Sequence, residues 1–322
     1  QLEVLKDSTP EAVEKGKTYI AEKRISISLK ENITEKLYIE AICEADGHRS
    51  TAIIAGDHTN FVYVAKDDTV LLDKRGGTQA DAESKDVELC FRKVYDFAMT
   101  TPLEEIEFIL EAKRLNKAAA EFSLKGDYGH GIGRMMCSNQ EHEVMGDSVY
   151  SRIMSNSGSG NQGITATLPV VVFAEENHKS HEELVRALTL SHLTVIYIKQ
   201  SLGRLSALCG CVVAATGSAC GITYLMGGNY DQTVYAVKNM VANLTGMLCD
   251  GAKPSCAMKL ATGVSTAVLS AMMAMQQRYV TSVEGIIDDD VDKCIRNMTR
   301  IGSVGMNETD RVVLDIMTHK GC

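Results

Sequence analysis

Five of the ten cysteines fall between Cys209 and Cys256, which concentrates the most reactive side chains in one stretch of the chain. Cys209 closes the run 205–208, Cys249 opens Cys249-Asp250-Gly251, and Cys256 follows Lys253-Pro254-Ser255 at the start of a helical pattern. Gly and Pro around the last two make a tight loop that can turn two thiolates toward one point. Cys209, from a distant helix end, would complete a triangular face of the kind a cubane iron–sulfur cluster with one open iron requires. Structural zinc is the competing metal, although only Cys209 and Cys211 approach ligand-pair spacing and theirs is too short for the usual knuckle. Packing is the third reading, because a thiol is a small apolar group, and it is preferred for Cys43, Cys90, Cys137, Cys220 and Cys294. Lys259, one turn beyond Cys256, can meet a substrate carboxylate, serve as a base if desolvated, or reach back to solvent. Cys322 offers either a fourth thiolate or a frayed terminus.

A second segment with chemical potential is Ser155-Asn156-Ser157-Gly158-Ser159-Gly160-Asn161-Gln162-Gly163, followed directly by a helical pattern. Small hydroxyl, amide and glycine residues at a helix start leave N–H groups facing outward, where the helix dipole favours a carboxylate or phosphate. A capped loop without a ligand is the alternative. Gly158 to Gly163 also satisfies G-x-G-x-x-G, but no strand-like run precedes it and no second strand ending in an acid follows, so a dinucleotide site is rejected. His58 and His130 sit in turn or glycine-rich contexts, whereas His192 lies in an apolar helix and reads as a satisfied core histidine. Asp288-Asp289-Asp290 precedes Val291 and reads as a helix cap.

The elements that must carry these residues divide into two sets. Ser8-Thr9-Pro10 begins a capped helix over Glu11–Glu22. Period-two alternation follows at Ile25/Ile27/Leu29, Leu37/Ile39/Ala41, Ala52/Ile54 and Phe61/Tyr63/Ala65, which predicts a small meander. From about Asp86 the period becomes helical, and the later helices are expected over 164–176, 182–201, 206–226, 234–248, 256–277, 291–301 and 309–318. The segment 125–147, with His130 and His142, reads as a loop or short-helix region. The fold class is therefore α+β, with a small domain over 1–75 and a larger all-α helical domain over 76–322.

Composition narrows the function. The chain has 322 residues, 45% of them hydrophobic, enough for a substantial core. A net charge of -9, from 33 Lys plus Arg against 42 Asp plus Glu, repels phosphate backbones and anionic lipid, so no nucleic acid or membrane partner is expected. The most membrane-like run, 207–228, is interrupted by small and polar residues and reads as buried helix. Free thiols without a secretory signal point to the cytoplasm. Gln1 is not an initiator Met, so a processed or incomplete product is expected.

The strings SNSGSGNQGITAT (155–167), RLSALC (204–209), GMLCDGAKPSCAMK (246–259) and EGI (284–286), together with 2–12 and 56–62, resemble the bacterial UPF0597 family. That family is related to the iron–sulfur L-serine dehydratases and L-cysteine desulfidases, which work without pyridoxal phosphate. The resemblance implies that Cys209, Cys249 and Cys256 hold a 4Fe-4S cluster and that the loop from Ser155 through Asn161 to Gly163 grips a small amino-acid substrate. It also admits a homodimer. Members carry an N-terminal Gly-Cys-Thr-Glu-Pro motif that does not occur in this sequence. The expected activity is β-elimination on L-cysteine or L-serine; an iron–sulfur sensor without turnover is the alternative, and a nicotinamide oxidoreductase a third.

Overall fold

The computed structural model describes residues 8–33, 35, 37–75, 87–126, 128–133, 135, 154–203 and 205–320. Cys137, His142 and Cys322 lie outside the described residues, as does Arg204. The chain divides into two compact units, one formed by residues 1–87 with 314–322 and one by residues 88–313. The fold class is α+β, a small antiparallel sheet near the N-terminus and a larger helical region.

The first unit begins with α1 (Pro10–Ala21), whose Thr9 hydroxyl accepts the Ala12 N–H at 3.2 Å while Pro10 occupies a position where no N–H is needed. Four strands follow, β1 (Tyr38–Ala45), β2 (His48–Ala55), β3 (Phe61–Lys66) and β4 (Thr69–Asp73), in an antiparallel meander of that order. The Asp67 carboxylate accepts the Arg49 N–H at 2.9 Å and so ties the β3–β4 turn to β2. Three of the expected strands correspond to β1, β2 and β3, and β4 adds one that alternation had not marked. The expected strand at 25–29 is not formed, and Ile27 is 89% exposed. Alternation supplies a face; a strand also needs a neighbour to complete its hydrogen-bond ladder, and residues 25–29 pair with none among the described residues.

The second unit is a helical assembly: α2 (Phe91–Thr100), α3 (Leu103–Ile106), α4 (Leu110–Ser123), α5 (Gly160–Glu176), α6 (His181–Leu202), α7 (Gly210–Leu225), α8 (Tyr230–Leu244), α9 (Cys256–Met275) and α10 (Val291–Arg300), with α11 (Asn307–Thr318) crossing the boundary between units. α7 is the axis, packed against α5, α6, α8 and α9. Nearly all its residues are buried, which is why it reads as apolar on every side instead of as an amphipathic helix. Such proximity requires small residues: a Cβ on Gly221 would lie 2.9 Å from the Ala187 carbonyl oxygen of α6 and 2.9 Å from Val170 Cγ2 of α5. Each fully buried Leu or Ile around this axis contributes roughly 1.5–3 kcal/mol.

α9 is the one described helix long and apolar enough to cross a membrane by length and composition, and here it packs on α7 and α8. Asp292 of α10 joins three helices, accepting the Phe91 N–H at the start of α2 at 2.8 Å and the Tyr197 hydroxyl of α6 at 2.5 Å. Asp290 caps α10 by accepting the Asp292 N–H, as the acidic run predicted.

Candidate active site

α7 starts at Gly210, later than the expected residue 206, because residues 207–209 are taken by a short antiparallel pairing with 247–249. Leu208 bridges Leu248, the Cys209 N–H donates to the Met247 carbonyl at 2.9 Å, and the Cys249 N–H donates to the Ala207 carbonyl at 2.6 Å. For the same reason α8 ends at Leu244 instead of running on to residue 248. This pairing brings two distant cysteines side by side, so that each thiol feels the other. Cys209 is pushed up by its Cys249 neighbour and by burial. Cys249 is held down at about 6 by its Cys209 neighbour, against burial, with help from the Gly251 N–H and the Lys259 charge.

Cys256 begins α9, its N–H donating to the Lys253 carbonyl at 2.8 Å. One turn on, the Lys259 ammonium reaches back across the loop, donating to the Leu248 carbonyl at 2.7 Å and to Asp250 Oδ1 at 2.8 Å. Burial lowers the affinity of this amine for its proton, but the Asp250 bond outweighs it and the net shift is upward, aided by the fields of Cys209 and Cys256. Lys259 is thus a cation. Asp250 is held far below the usual carboxylate range by Lys253 and Lys259. Cys211, two residues from Cys209, differs sharply: it is buried, pushed up to about 12 by desolvation, and turned to the Lys259 carbonyl at 3.1 Å.

The polar loop is a tight reversal. Asn156 and Ser159 exchange backbone hydrogen bonds of 3.1 and 3.0 Å, and Ser157 and Gly158 between them have φ of 50° and 81°, the type I′ arrangement that a glycine in the second central position eases. Ser159 then caps α5, accepting the Gln162 N–H at 3.3 Å, so Gly160 and Asn161 belong to the first helical turn. Asn156 is buried, and its side chain is committed to the interior: Nδ2 donates to His192 Nδ1 at 3.0 Å and to the His192 carbonyl at 3.2 Å. His192 in turn meets Thr167 Oγ1 at 2.9 Å, and Asn116 Nδ2 donates to the same hydroxyl at 3.0 Å. With Asn156 donating to Nδ1, the histidine proton belongs on Nε2, and burial holds its pKa down at about 4. His192 is the satisfied core histidine expected; with Asn156 it anchors the loop from below.

Loop and cysteines meet at Gln162, a residue the sequence reading did not single out. Its side chain lies over the first residue of α7, since a Cβ on Gly210 would stand 2.7 Å from Gln162 Nε2. The available signal was an amide opening the uninterrupted buried run 162–171, where each uncharged polar group needs a reason. The structure therefore brings Cys209 beside Cys249, Lys259 within the field of Cys209 and Cys256, and the α5 start onto the α7 start. Among the described residues, no group of three or more His, Cys, Asp and Glu side chains converges as for a single metal ion.

Residues 1–315 match the family described as serine dehydratase alpha chain. A UPF0597 protein of Bacteroides fragilis is 70% identical over 341 aligned residues, covering 100% of this chain and 80% of the relative. UPF0597 proteins of Parabacteroides distasonis and Aeromonas hydrophila are 57% and 38% identical, covering 100% and 99% of this chain and 80% and 78% of the relatives. No solved structure matches.

Proposed function

We propose a lyase function from one premise: the chain belongs to the serine dehydratase alpha-chain family. The reaction is β-elimination on L-cysteine or L-serine without pyridoxal phosphate, giving an enamine that hydrolyses to pyruvate and ammonia, with sulfide released from cysteine. It runs in the cytoplasm, where thiols such as these remain free. The observation that carries the reading is the pairing of Cys209 with Cys249 beside Lys259, at the end of α7 that also receives the polar loop.

The donor set suits a 4Fe-4S cluster held by Cys209, Cys249 and Cys256. In a cluster each thiolate meets its own iron, so the sulfurs need not converge on one point as single-ion ligands must. Such a cluster supplies a Lewis acid for the departing hydroxide or thiolate. The chain's own residues do the rest. The N–H groups at the start of α5, displayed by the 155–161 turn, face the substrate carboxylate with the helix dipole behind them. Lys259 adds a positive charge fixed by Asp250; to take a proton from the α-carbon it would first have to lose its own and leave Asp250.

Pyruvate formation from L-serine and from L-cysteine, measured on the anaerobically reconstituted protein, tests this reading. Turnover of either substrate, lost by at least about a thousand-fold in Cys249→Ser together with iron, is the expected result. Iron and turnover retained in Cys249→Ser would refute it. A cluster whose loss changes self-association while neither amino acid is turned over would favour the sensor.

A further inference from the structure

Gln162 is only 6% exposed, and its Oε1 is the single buried side-chain nitrogen or oxygen without a hydrogen-bond partner among the described residues. The other buried polar groups of α5 and of its packing against α6 are satisfied. Thr165 donates to the Asn161 carbonyl at 2.8 Å, Thr167 to the Gly163 carbonyl at 2.7 Å, Ser191 to the Ala166 carbonyl at 2.7 Å, and Asn156 and His192 satisfy one another. A fold that pairs these groups and leaves the one amide oxygen unpaired has kept that acceptor for something outside the chain.

Its location tells what that something must carry. The carboxamide lies between the starts of two long helices, α5 of 17 residues and α7 of 16, with Gly210 giving it room and Cys209 next along the chain. Helix starts attract an anion, whereas an amide oxygen asks for an N–H or O–H donor. A ligand that answers both within a few ångströms has a negative group and a protonated nitrogen on adjacent atoms, which is the pattern of an α-amino acid. A carboxylate with no N–H or O–H donor on its α-carbon leaves the oxygen unpaired.

We propose that Gln162 receives the α-ammonium group of the amino-acid substrate on its side-chain oxygen, so that this residue selects amino acids over their deaminated analogues. The assignment rests on the β-elimination reading and adds a specificity-determining residue to it. Asn156 and His192 hold the turn from which α5 starts, and Gln162 reads the ligand from the helix itself.

The test is the affinity of the reconstituted protein for L-serine and for 3-hydroxypropanoate, which is serine without its amino group, measured by calorimetry beside pyruvate formation. Gln162→Leu, matched in size, is expected to weaken L-serine binding on the order of 10- to 100-fold, with KM rising by a similar factor, and to leave 3-hydroxypropanoate unchanged. Equal weakening of both ligands, or no change for L-serine, overturns the assignment. Gln162→Glu keeps an acceptor oxygen and guards against a folding defect: it should retain the preference for L-serine, and loss of that preference also overturns the assignment. Wild-type protein that turns over L-serine alongside an unaffected Gln162→Leu removes only the ammonium contact, whereas wild-type protein that binds and turns over neither L-serine nor L-cysteine removes the β-elimination reading with it.

Discussion

The start of α7 and its body hold the same residue type in opposite surroundings. Cys209 stands before the first turn, its strand paired with that of Cys249, whose thiol is held down at about 6 by its Cys209 neighbour with help from the Gly251 N–H and the Lys259 charge. Cys211 and Cys220 lie along the helix, and burial pushes both up to about 12. The start of the helix therefore brings in a thiol that releases its proton readily, and its body holds two that keep theirs. A cysteine gains chemistry where a neighbouring N–H and a cation stabilise the thiolate, and loses it where four helices close around it.

The largest effect expected from this contrast is kinetic. In metal-free protein at neutral pH, iodoacetamide should modify Cys249 about a thousand-fold faster than Cys211 or Cys220, as read by peptide mass spectrometry. Similar rates would erase the distinction between the two environments. Gly221→Val attacks the body of the helix instead. Its branched side chain would meet the Ala187 carbonyl, which cannot rotate away, and should cost about 3 kcal/mol or more in urea denaturation while leaving the Cys249 alkylation rate of the folded fraction unchanged.

His192 sharpens the comparison from beneath the loop. Its pKa is about 4 in the folded chain against 6.5 as the ordinary value, so between these values the unfolded chain binds a proton that the folded chain refuses. The associated stability is complete above about pH 6.5 and falls as the pH drops toward 4, a loss of about 3 kcal/mol. The pH dependence of the urea midpoint in wild type minus that in His192→Asn should show this slope; parallel curves would mean that the imidazole is not the buried neutral anchor described. Gly158→Ala, at φ of 81°, should cost only about 1 kcal/mol, and a stabilising effect there would contradict the left-handed turn.

Much of this was legible from the residues. The helical periods after residue 86 gave the helices of the second unit to within a few residues at most ends, Ser-Thr-Pro gave the first helix, and the small polar residues of 155–163 marked a helix start. Two errors have one physical cause. The alternation at Ile25, Ile27 and Leu29 produced no strand, and β4 formed over Thr69–Asp73 without a clear pattern, because a strand is completed by a partner that local sequence does not name. The α7 start was misjudged for a related reason: residues 207–209 pair with 247–249, a contact across forty positions that overrides helical propensity. Asn156 looked like a ligand-facing amide and is an internal anchor, while Gln162, hidden at the head of an apolar run, holds the unpaired oxygen.

The proposed lyase stands or falls with Cys209, Cys249 and Cys256 acting together as cluster ligands. The decisive measurement is iron and acid-labile sulfide analysis after anaerobic reconstitution, with the visible spectrum. Near-equal iron and sulfide at about four each per chain and broad charge-transfer absorbance are expected, all lost in Cys249→Ser. Zinc alone, or no metal after reconstitution, would contradict it.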